Sequence, residues 1–275
     1  MTERIADEAG LLSRRRLLRA APAAVGTLLL AGAAPAAQAR TPRATATPRP
    51  AHPSPESTRL AKPLPVLKRP VFTLGDYRRV VPGAPFPANA VSLTIDDGPH
   101  PIWTPKILRL LDKYQVPALF CMIGNQVLGH ETVARSVVGA GHQLANHTWS
   151  HPTTLAKRSN ARIRQEIRHA QDKIYGTTGY APTLFRSPGG DWSPAVFGAA
   201  SQAHLVPLDW SDDPRDWARP GTAAIVRRLM AAKPGQILLC HDGGGDRSQT
   251  FTALQTVLPA LKARGYEFVA LDGKI

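Results

Sequence analysis

The sequence contains only two cysteines in 275 residues, Cys121 and Cys240, and this scarcity excludes a small scaffold held together by several disulfides. Both cysteines fall within predicted strands, so they form either one disulfide or two buried free thiols. A chain of this length with 43% hydrophobic residues can instead bury one sizeable core, which predicts one main domain.

Acidic residues are also scarce. Asp and Glu number 20 against 34 Lys and Arg, which gives a formal net charge of +14. This excess suggests a polyanionic neighbour, which would be nucleic acid, an anionic membrane surface or an acidic cell wall. Charge alone does not choose among the three.

The first 39 residues lack an uninterrupted apolar stretch of the kind that spans a membrane. Their apolar part, residues 20–37, is broken by prolines and glycines, namely Pro22, Gly26, Gly32 and Pro35. A basic run with paired arginines precedes it at 13–19, and residues 37–39 have the small-residue pattern of a cleavage site. We therefore predict that residues 1–39 are an export signal of the twin-arginine type, with an uncleaved membrane anchor as the alternative.

Such a signal implies that the protein folds before it leaves a bacterial cytoplasm and then acts outside the cell, secreted or associated with the wall. Its removal takes away five arginines and three acids, so the net charge falls only from +14 to +12. The charge then suits an anionic wall, and a nucleic-acid partner is not expected. Folding in a reducing compartment also favours free thiols at Cys121 and Cys240.

Residues 40–70 lack any apolar period and are crowded with proline, alanine, threonine and basic residues. This composition cannot bury enough surface to offset chain entropy, so we predict an extended, disordered linker. The linker would let the following domain, residues 71–275, reach into an anionic wall. A solvated tail without a partner is an equal alternative.

Beyond residue 70, apolar runs of strand length alternate with stretches of helical period. Seven strands are predicted, in the stretches AVSLTI, VPALFCMI, HQLAN, TLFRS, LVPLDW, QILLCH and EFVAL. Helices are predicted at 105–114, 131–140, 222–232 and 252–264, and a further one is capped by Ser159 or Asn160 and ends at Gly176. Because the strands are mostly apolar on both faces, a closed or nearly closed parallel α/β barrel is favoured over a doubly wound sheet.

Nearly every predicted strand ends in an ionisable group, and in a parallel barrel chemistry gathers at the carboxyl ends of the strands. The groups are Asp96 and Asp97, His147 and His151, Arg186, Asp209, Asp213 and Asp216, and His241 and Asp242. Stability does not require them, since Gly, Asn and Ser can close strand ends. For Arg186 a solvated surface charge is the alternative.

His147 and His151 are four residues apart, so on one helical turn they would point to the same side and could share a metal. The spacing alone is weak evidence among nine histidines. A carboxylate from Asp96 or Asp97 would complete a catalytic type of site, with positions left open for water and substrate. The glycines at 243–245 lack the lysine of a phosphate-binding loop, so no nucleotide site is expected there.

Five short motifs follow one another along the chain: TIDDG at 94–98, HTWSH at 147–151, RSPG at 186–189, DPRDW at 213–217 and LCH at 239–241. Their order and approximate spacing resemble those of the polysaccharide deacetylases, the NodB-homology enzymes of carbohydrate esterase family 4. The resemblance covers roughly residues 88–272. It implies a single catalytic domain folded as a deformed (β/α)7 barrel.

The resemblance also implies roles for individual residues. Asp97, His147 and His151 would bind a divalent metal, for which zinc is the usual assumption. Asp96 would be the general base, and Arg186 would keep it ionised, since a nearby cation lowers the pKa of a carboxylate.

The remaining motif residues would complete the site. His241 would deliver a proton to the leaving nitrogen, oriented by Asp216, with Asp213 as the reserve candidate. Trp217 and Leu239 would wall a pocket for the acetyl methyl group. The backbone N–H of Gly189 would help to stabilise the oxyanion, although glycine here replaces the aromatic residue common in the family.

The implied activity is a metal-dependent hydrolase that removes N-acetyl groups from N-acetylglucosamine-type units and releases acetate. Peptidoglycan is the favoured substrate because of the basic charge and linker, chitin-type oligomers come next, and O-acetylated xylan is a further alternative. A different class of function is a wall-binding module that keeps the barrel and has lost turnover.

Overall fold

The computed structural model describes residues 63–271. The predicted export signal and most of the predicted linker lie outside the described residues. The last eight residues of that linker, 63–70, contact the domain: the Leu64 N–H donates to the Ser201 carbonyl, and Leu64 and Leu67 pack against the core. No helix within residues 63–271 has the length and hydropathy needed to cross a membrane.

All seven predicted strands are present, and together they form one parallel sheet. They are β1 (Ala90–Asp96), β2 (Ala118–Met122), β3 (Gln143–Asn146), β4 (Leu184–Phe185), β5 (Val206–Pro207), β6 (Ile237–His241) and β7 (Glu267–Phe268). The strand order is β5-β4-β3-β2-β1-β6, with β7 paired to the start of β1. Every residue of β1, β2, β3 and β6 is buried, because the sheet is covered on both faces.

Residues 71–73 join the two ends of this curled sheet. Val71 pairs with Leu208, just beyond β5, and Thr73 pairs with Gln236, just before β6. The segment therefore spans the gap between the edge strands and nearly closes the barrel, as the sequence predicts. The fold is the deformed (β/α)7 barrel.

Seven α-helices surround the sheet in the described part of the chain. They are α1 (Leu74–Val80), α2 (Trp103–Tyr114), α3 (Glu131–Gly139), α4 (Asn160–Thr178), α5 (Pro194–Gln202), α6 (Thr222–Leu229) and α7 (Ser248–Ala263). Helix α4 begins as predicted, since the Ser159 side chain caps it by accepting from the Arg162 N–H. The predicted end at Gly176 is wrong: the helix continues to Thr178 and stops at Gly179, whose φ of 68° is left-handed.

Buried apolar residues occupy both sides of the sheet. Phe120 and Met122 of β2 face the surrounding helices, whereas Leu119 and Cys121 face the barrel interior. Cys240 lies in the helix-facing layer, on the opposite side of the sheet from Cys121. The two thiols are therefore free and buried, as predicted.

Candidate active site

The two adjacent aspartates stand at the carboxyl end of the central strand. Asp96 is the last residue of β1 and is 2% exposed. Asp97 has a φ of 73°, so the backbone leaves the extended conformation there and both carboxylates can reach one site. Gly243 packs against this turn so closely that a Cβ at that position would collide with the Asp97 carbonyl oxygen. The close approach therefore requires glycine at 243.

The histidine pair follows β3 on a loop. The predicted helical turn between His147 and His151 is wrong, because Thr148 and His151 have positive φ angles of 65° and 56°. Several hydrogen bonds fold the loop. The His151 N–H donates to Thr148 Oγ1 over 3.1 Å, the Gly124 N–H donates to the Thr148 carbonyl, and the Asn125 N–H donates to the Trp149 carbonyl. The two imidazole centroids lie 4.8 Å apart.

Asp97, His147 and His151 are brought together with their ligand atoms all within 4.8 Å of one another. Asp97 Oδ1 lies 3.5 Å from His147 Nε2 and 3.2 Å from His151 Nε2. His147 Nδ1 is 2.8 Å from the Arg186 carbonyl, which can only accept, so Nδ1 carries the proton and Nε2 of the neutral ring offers a lone pair.

This donor set fits a divalent cation. Asp97 Oδ1 is buried and receives no hydrogen bond, which leaves a negatively charged oxygen facing two imidazole nitrogens. Burial opposes ionisation of Asp97, but the neighbouring imidazoles of His147, His241 and His151 outweigh it and hold its pKa well below the usual range. One carboxylate and two imidazoles leave further coordination positions open.

Arg186 is fully buried directly beside Asp96, so the alternative of a solvated surface charge is wrong. Its Nη1 donates to Asp96 Oδ1 over 2.7 Å and to Thr94 Oγ1 over 2.8 Å, and its Nη2 donates to the Asp209 carbonyl. Burial alone would lower the pKa of Arg186, but the charge of Asp96 raises it above its ordinary value. The guanidinium thus fixes one oxygen of Asp96 and leaves Oδ2, 3.7 Å from His147 Nε2, facing the candidate metal site.

His241 ends β6 on the other side of β1, and Asp216 holds it. Its Nδ1 lies 2.7 Å from Asp216 Oδ1, while Asp216 Oδ2 accepts from the His241 backbone N–H and from Thr250 Oγ1. Burial lowers the pKa of His241, but the hydrogen bond and charge of Asp216 outweigh it and raise the pKa to about 9. The imidazole is therefore protonated at neutral pH.

The remaining candidate carboxylates, Asp209, Asp213 and Asp242, form hydrogen bonds with residues other than His241. Asp213, the reserve candidate, accepts a hydrogen bond from the Arg215 N–H in its own loop. Asp209 accepts from Trp192 Nε1 over 2.9 Å, and burial raises its pKa to about 6. Asp242 accepts from Thr104 Oγ1 and is fully buried, which raises its pKa to about 7.

Gly189 and Trp217 lie in the loops after β4 and β5, and Leu239 lies within β6; their parts in substrate binding stay predictions. Gly189 is exposed with a φ of 64°, in the short 3-10 turn Pro188–Gly190 after β4. Trp217 is 48% exposed and comes directly after Asp216. Leu239 is buried in β6, paired with Thr94 of β1.

Sequence reasoning missed two residues that shape the histidine loop. Asn146 Oδ1 accepts from the Thr148 N–H, and Glu166 of α4 accepts two hydrogen bonds from Ser150. A signal for Glu166 was present: it lies next to Ile167 and three residues after Ile163, on the face of α4 that is buried.

Comparisons with known proteins agree with this geometry. Residues 83–208 match the family model described as polysaccharide deacetylase. The peptidoglycan-N-acetylglucosamine deacetylase of Bacillus cereus is 41% identical over 185 residues, covering 66% of this chain and 86% of the relative. A chitooligosaccharide deacetylase of Bradyrhizobium sp. is 41% identical over 192 residues, covering 65% of this chain and 87% of the relative.

Among solved structures, a mutant of BA3943, a family 4 pseudoenzyme with restored enzymatic activity, superposes with a TM-score of 0.65 at 29% identity. The superposition covers 75% of this chain and 72% of that chain. The family-model match contains Asp96, Asp97 and the histidine pair, whereas Asp216 and His241 lie beyond it. The chain matches two relatives over most of their length and shares the fold of a solved member. It therefore belongs to the polysaccharide deacetylases, the NodB-homology enzymes of carbohydrate esterase family 4.

Proposed function

We propose that this protein is a metal-dependent hydrolase that removes N-acetyl groups from N-acetylglucosamine-type units of a polysaccharide and releases acetate. One observation carries the proposal: an arginine-paired carboxylate, a carboxylate with two histidines, and a protonated histidine all surround the end of β1. Amide hydrolysis needs a base for water, an electrophile for the carbonyl and an acid for the leaving amine. The site offers a candidate for each.

Asp97, His147 and His151 would hold the metal. Held there, a divalent cation would supply an electrophile for the acetyl carbonyl and would lower the pKa of a bound water. Zinc is the proposed ion, because one carboxylate and two imidazoles are ligands typical of catalytic zinc. The free oxygen of Asp96 lies 3.7 Å from His147 Nε2, so the proposed base stands directly beside the residues that would hold the metal.

Asp96 would act as the general base. Its Oδ1 is occupied by Arg186, so Oδ2 is the oxygen that takes a proton from the attacking water. Arg186 would hold this carboxylate in a fixed direction, because the buried guanidinium donates to its Oδ1 over 2.7 Å. Two neighbouring carboxylates can both stay deprotonated when an arginine faces one and a cation faces the other.

His241 would act as the general acid. An amine leaves poorly as an anion, so a proton must reach the nitrogen as the carbon–nitrogen bond breaks. With a pKa of about 9 the imidazole carries that proton at neutral pH, and Asp216 on Nδ1 leaves Nε2 to donate it. The Gly189 N–H would bind the oxyanion, and Trp217 and Leu239 would enclose the acetyl methyl group.

Peptidoglycan is the proposed substrate. The support is the Bacillus cereus relative, at 41% identity, and a net charge of +12 once residues 1–39 are removed, which suits an anionic wall. Location outside the cell, by cleavage of a twin-arginine signal at residues 1–39, belongs to the same proposal. Chitin-type oligomers are the next candidate, supported by the rhizobial relative, and O-acetylated xylan follows.

A wall-binding module without turnover is the second candidate, because wild-type BA3943 of Bacillus anthracis, a pseudoenzyme of this family, shares the fold with a TM-score of 0.65. The presence of every ionisable residue of the five motifs argues against it. The discriminating experiment incubates zinc-loaded protein with purified wall, chitooligosaccharides or acetylated xylan and measures acetate. Acetate release that a metal chelator stops is the expected result, whereas sedimentation with wall and no acetate from any substrate would identify a binding module.

A further inference from the structure

We propose that Glu166 is a positioning residue for the metal site, because it fixes the loop that carries His151. The inference rests on the proposed metal site and extends it to helix α4, on which none of the five motifs lies. Glu166 would touch neither metal nor substrate. It would act through Ser150, the residue directly before His151.

Glu166 is a buried carboxylate whose two oxygens both bind one residue of the loop. The carboxylate is 1% exposed, Oε2 accepts from the Ser150 backbone N–H over 2.7 Å, and Oε1 accepts from Ser150 Oγ over 2.7 Å. Arg162, one helical turn earlier, places its half-exposed guanidinium 2.6 Å from Oε1 and supplies the opposite charge. Two hydrogen bonds from Ser150 thus fix the loop to helix α4 at this one residue.

His151 needs such support more than His147 does. His147 is buried, and its Nδ1 is held by the Arg186 carbonyl. The side chain of His151 is 29% exposed, and within residues 63–271 no hydrogen bond to its Nδ1 is found. The direction of its imidazole therefore depends on the backbone of the loop.

The backbone of this loop adopts an unfavourable conformation, which other residues must hold in place. Thr148 and His151 both have left-handed φ angles, which cost non-glycine residues about 1 kcal/mol or more each. Asn146 and Gly124 restrain the loop at Thr148, and the Asn125 N–H restrains it at the Trp149 carbonyl. The His151 N–H bonds only to Thr148 Oγ1, within the loop itself. Glu166 restrains it at Ser150, next to the second ligand, so its loss should displace His151 while His147 stays in place.

The expected consequence is weaker metal binding with an intact barrel. Glu166 binds a loop residue, not a strand of the sheet, so the core does not depend on its carboxylate. Residues that orient metal ligands from outside typically change metal affinity by about 10- to 100-fold. We expect replacement of Glu166 by leucine to weaken zinc binding by about tenfold or more.

The test measures zinc affinity by competition with a chromophoric chelator, which requires no turnover. The full-length protein is compared with Glu166→Leu, Glu166→Gln, Ser150→Ala and, as the matched control, Arg162→Ala. Glutamine keeps one oxygen that can accept from the Ser150 N–H, so Glu166→Gln should lose less affinity than Glu166→Leu. Ser150→Ala keeps the backbone hydrogen bond and should lose least. Arg162→Ala removes the counter-charge but no contact to the loop, so its zinc affinity should equal that of the wild type.

Deacetylation at saturating zinc adds a second readout. If Glu166 only positions a ligand, excess zinc should restore much of the kcat of Glu166→Gln, whereas a misfolded variant would not recover. A folded Glu166→Leu with wild-type zinc affinity would overturn the proposal, and so would an equal loss in Arg162→Ala. If Glu166→Leu does not fold, unchanged affinity in both Glu166→Gln and Ser150→Ala would overturn it. A wild-type protein that binds no zinc would overturn the proposed metal site itself, and this inference with it.

Discussion

Replacing Asp96 and Asp97 by asparagine, one at a time, should separate the chemical step from metal binding. Both substitutions keep the size of the side chain and remove one negative charge. Asp97 Oδ1 is buried without a hydrogen-bond donor and lies within 3.5 Å of both imidazoles, whereas Asp96 Oδ1 is bonded to Arg186 at 2.7 Å. The two neighbouring carboxylates therefore serve different partners, and their losses should have different effects.

Asp97→Asn should lose metal affinity first. It removes the charge of a ligand itself, so the loss should exceed the roughly 10- to 100-fold typical of residues that only orient ligands. Asp96→Asn should retain the metal, because Asp97, His147 and His151 are unchanged. Its kcat should fall by about 10²- to 10⁴-fold, the usual contribution of a general base.

Asp96→Asn should also lower the free energy of unfolding, because Arg186 is buried without any exposed surface. Removing one partner of a buried ion pair costs about 3–5 kcal/mol. The loss should lie at or below the lower end of this range, for two reasons. The asparagine oxygen can still accept from Arg186. Asp209, whose pKa burial raises to about 6, is already largely ionised at neutral pH and keeps a negative charge near the guanidinium.

Three measurements on each variant decide the matter: zinc affinity, acetate release at saturating zinc, and the urea midpoint. Glu131→Gln, which breaks an ion pair with Lys173 between α3 and α4, is the control and should match the wild type in both zinc affinity and turnover. Two results would refute the reasoning. One is turnover of Asp96→Asn within tenfold of the wild type, and the other is an equal loss of zinc in the Asp96 and Asp97 variants.

Three further predictions concern other parts of the domain. First, kcat should fall as the pH rises through about 9, where His241 loses its proton, and Asp216→Asn should move this alkaline limb to lower pH. The protonated His241 also stabilises the fold: this contribution is complete below the ordinary pKa of 6.5 and disappears as the pH rises through about 9. The urea midpoint should therefore be lower at pH 10 than at pH 6, and the difference should be smaller in Asp216→Asn. Second, Gly176→Ala should raise the free energy of unfolding by about 0.5–1 kcal/mol, measured with urea, because Gly176 lies inside α4 and its new Cβ would meet nothing within 4 Å; an unchanged or lower value would contradict this. Third, Cys121 and Cys240 should not react with a thiol reagent in the native protein, and both should react after unfolding without reductant; a denatured sample with no reactive thiol would show that they are paired.

Much of the barrel could be predicted from the sequence, because strands that are buried on both faces appear in it as continuous apolar runs. All seven apolar runs form strands. Once β1, β4 and β6 are recognised, the position of the ionisable residue at or directly after the end of each strand is known. Arg186 illustrates the limit of this reasoning. Its position after β4 was predictable, but its full burial depends on Thr94, Asp96 and Asp209 from two other parts of the chain.

Loop conformations could not be predicted in the same way. The spacing of His147 and His151 fits a helical turn, yet contacts from Gly124 and Glu166, both distant in sequence, hold a different conformation. In this loop, tertiary contacts outweigh a local preference. Helix α4 passes Gly176 for a local reason, because the glycine with the left-handed φ that ends the helix is Gly179, three residues later.

The bridge across the barrel has a consequence for the order in which the domain can assemble. Val71 and Thr73 are among the first residues of the domain to be synthesised, but their partners, Leu208 and Gln236, come close to its end. The barrel cannot be closed until Gln236 and β6 have left the ribosome, so Thr73 stays without its partner until nearly the whole domain has been synthesised. A chain that stops before β6 would lack both this closure and His241, which couples the completeness of the fold to the completeness of the site.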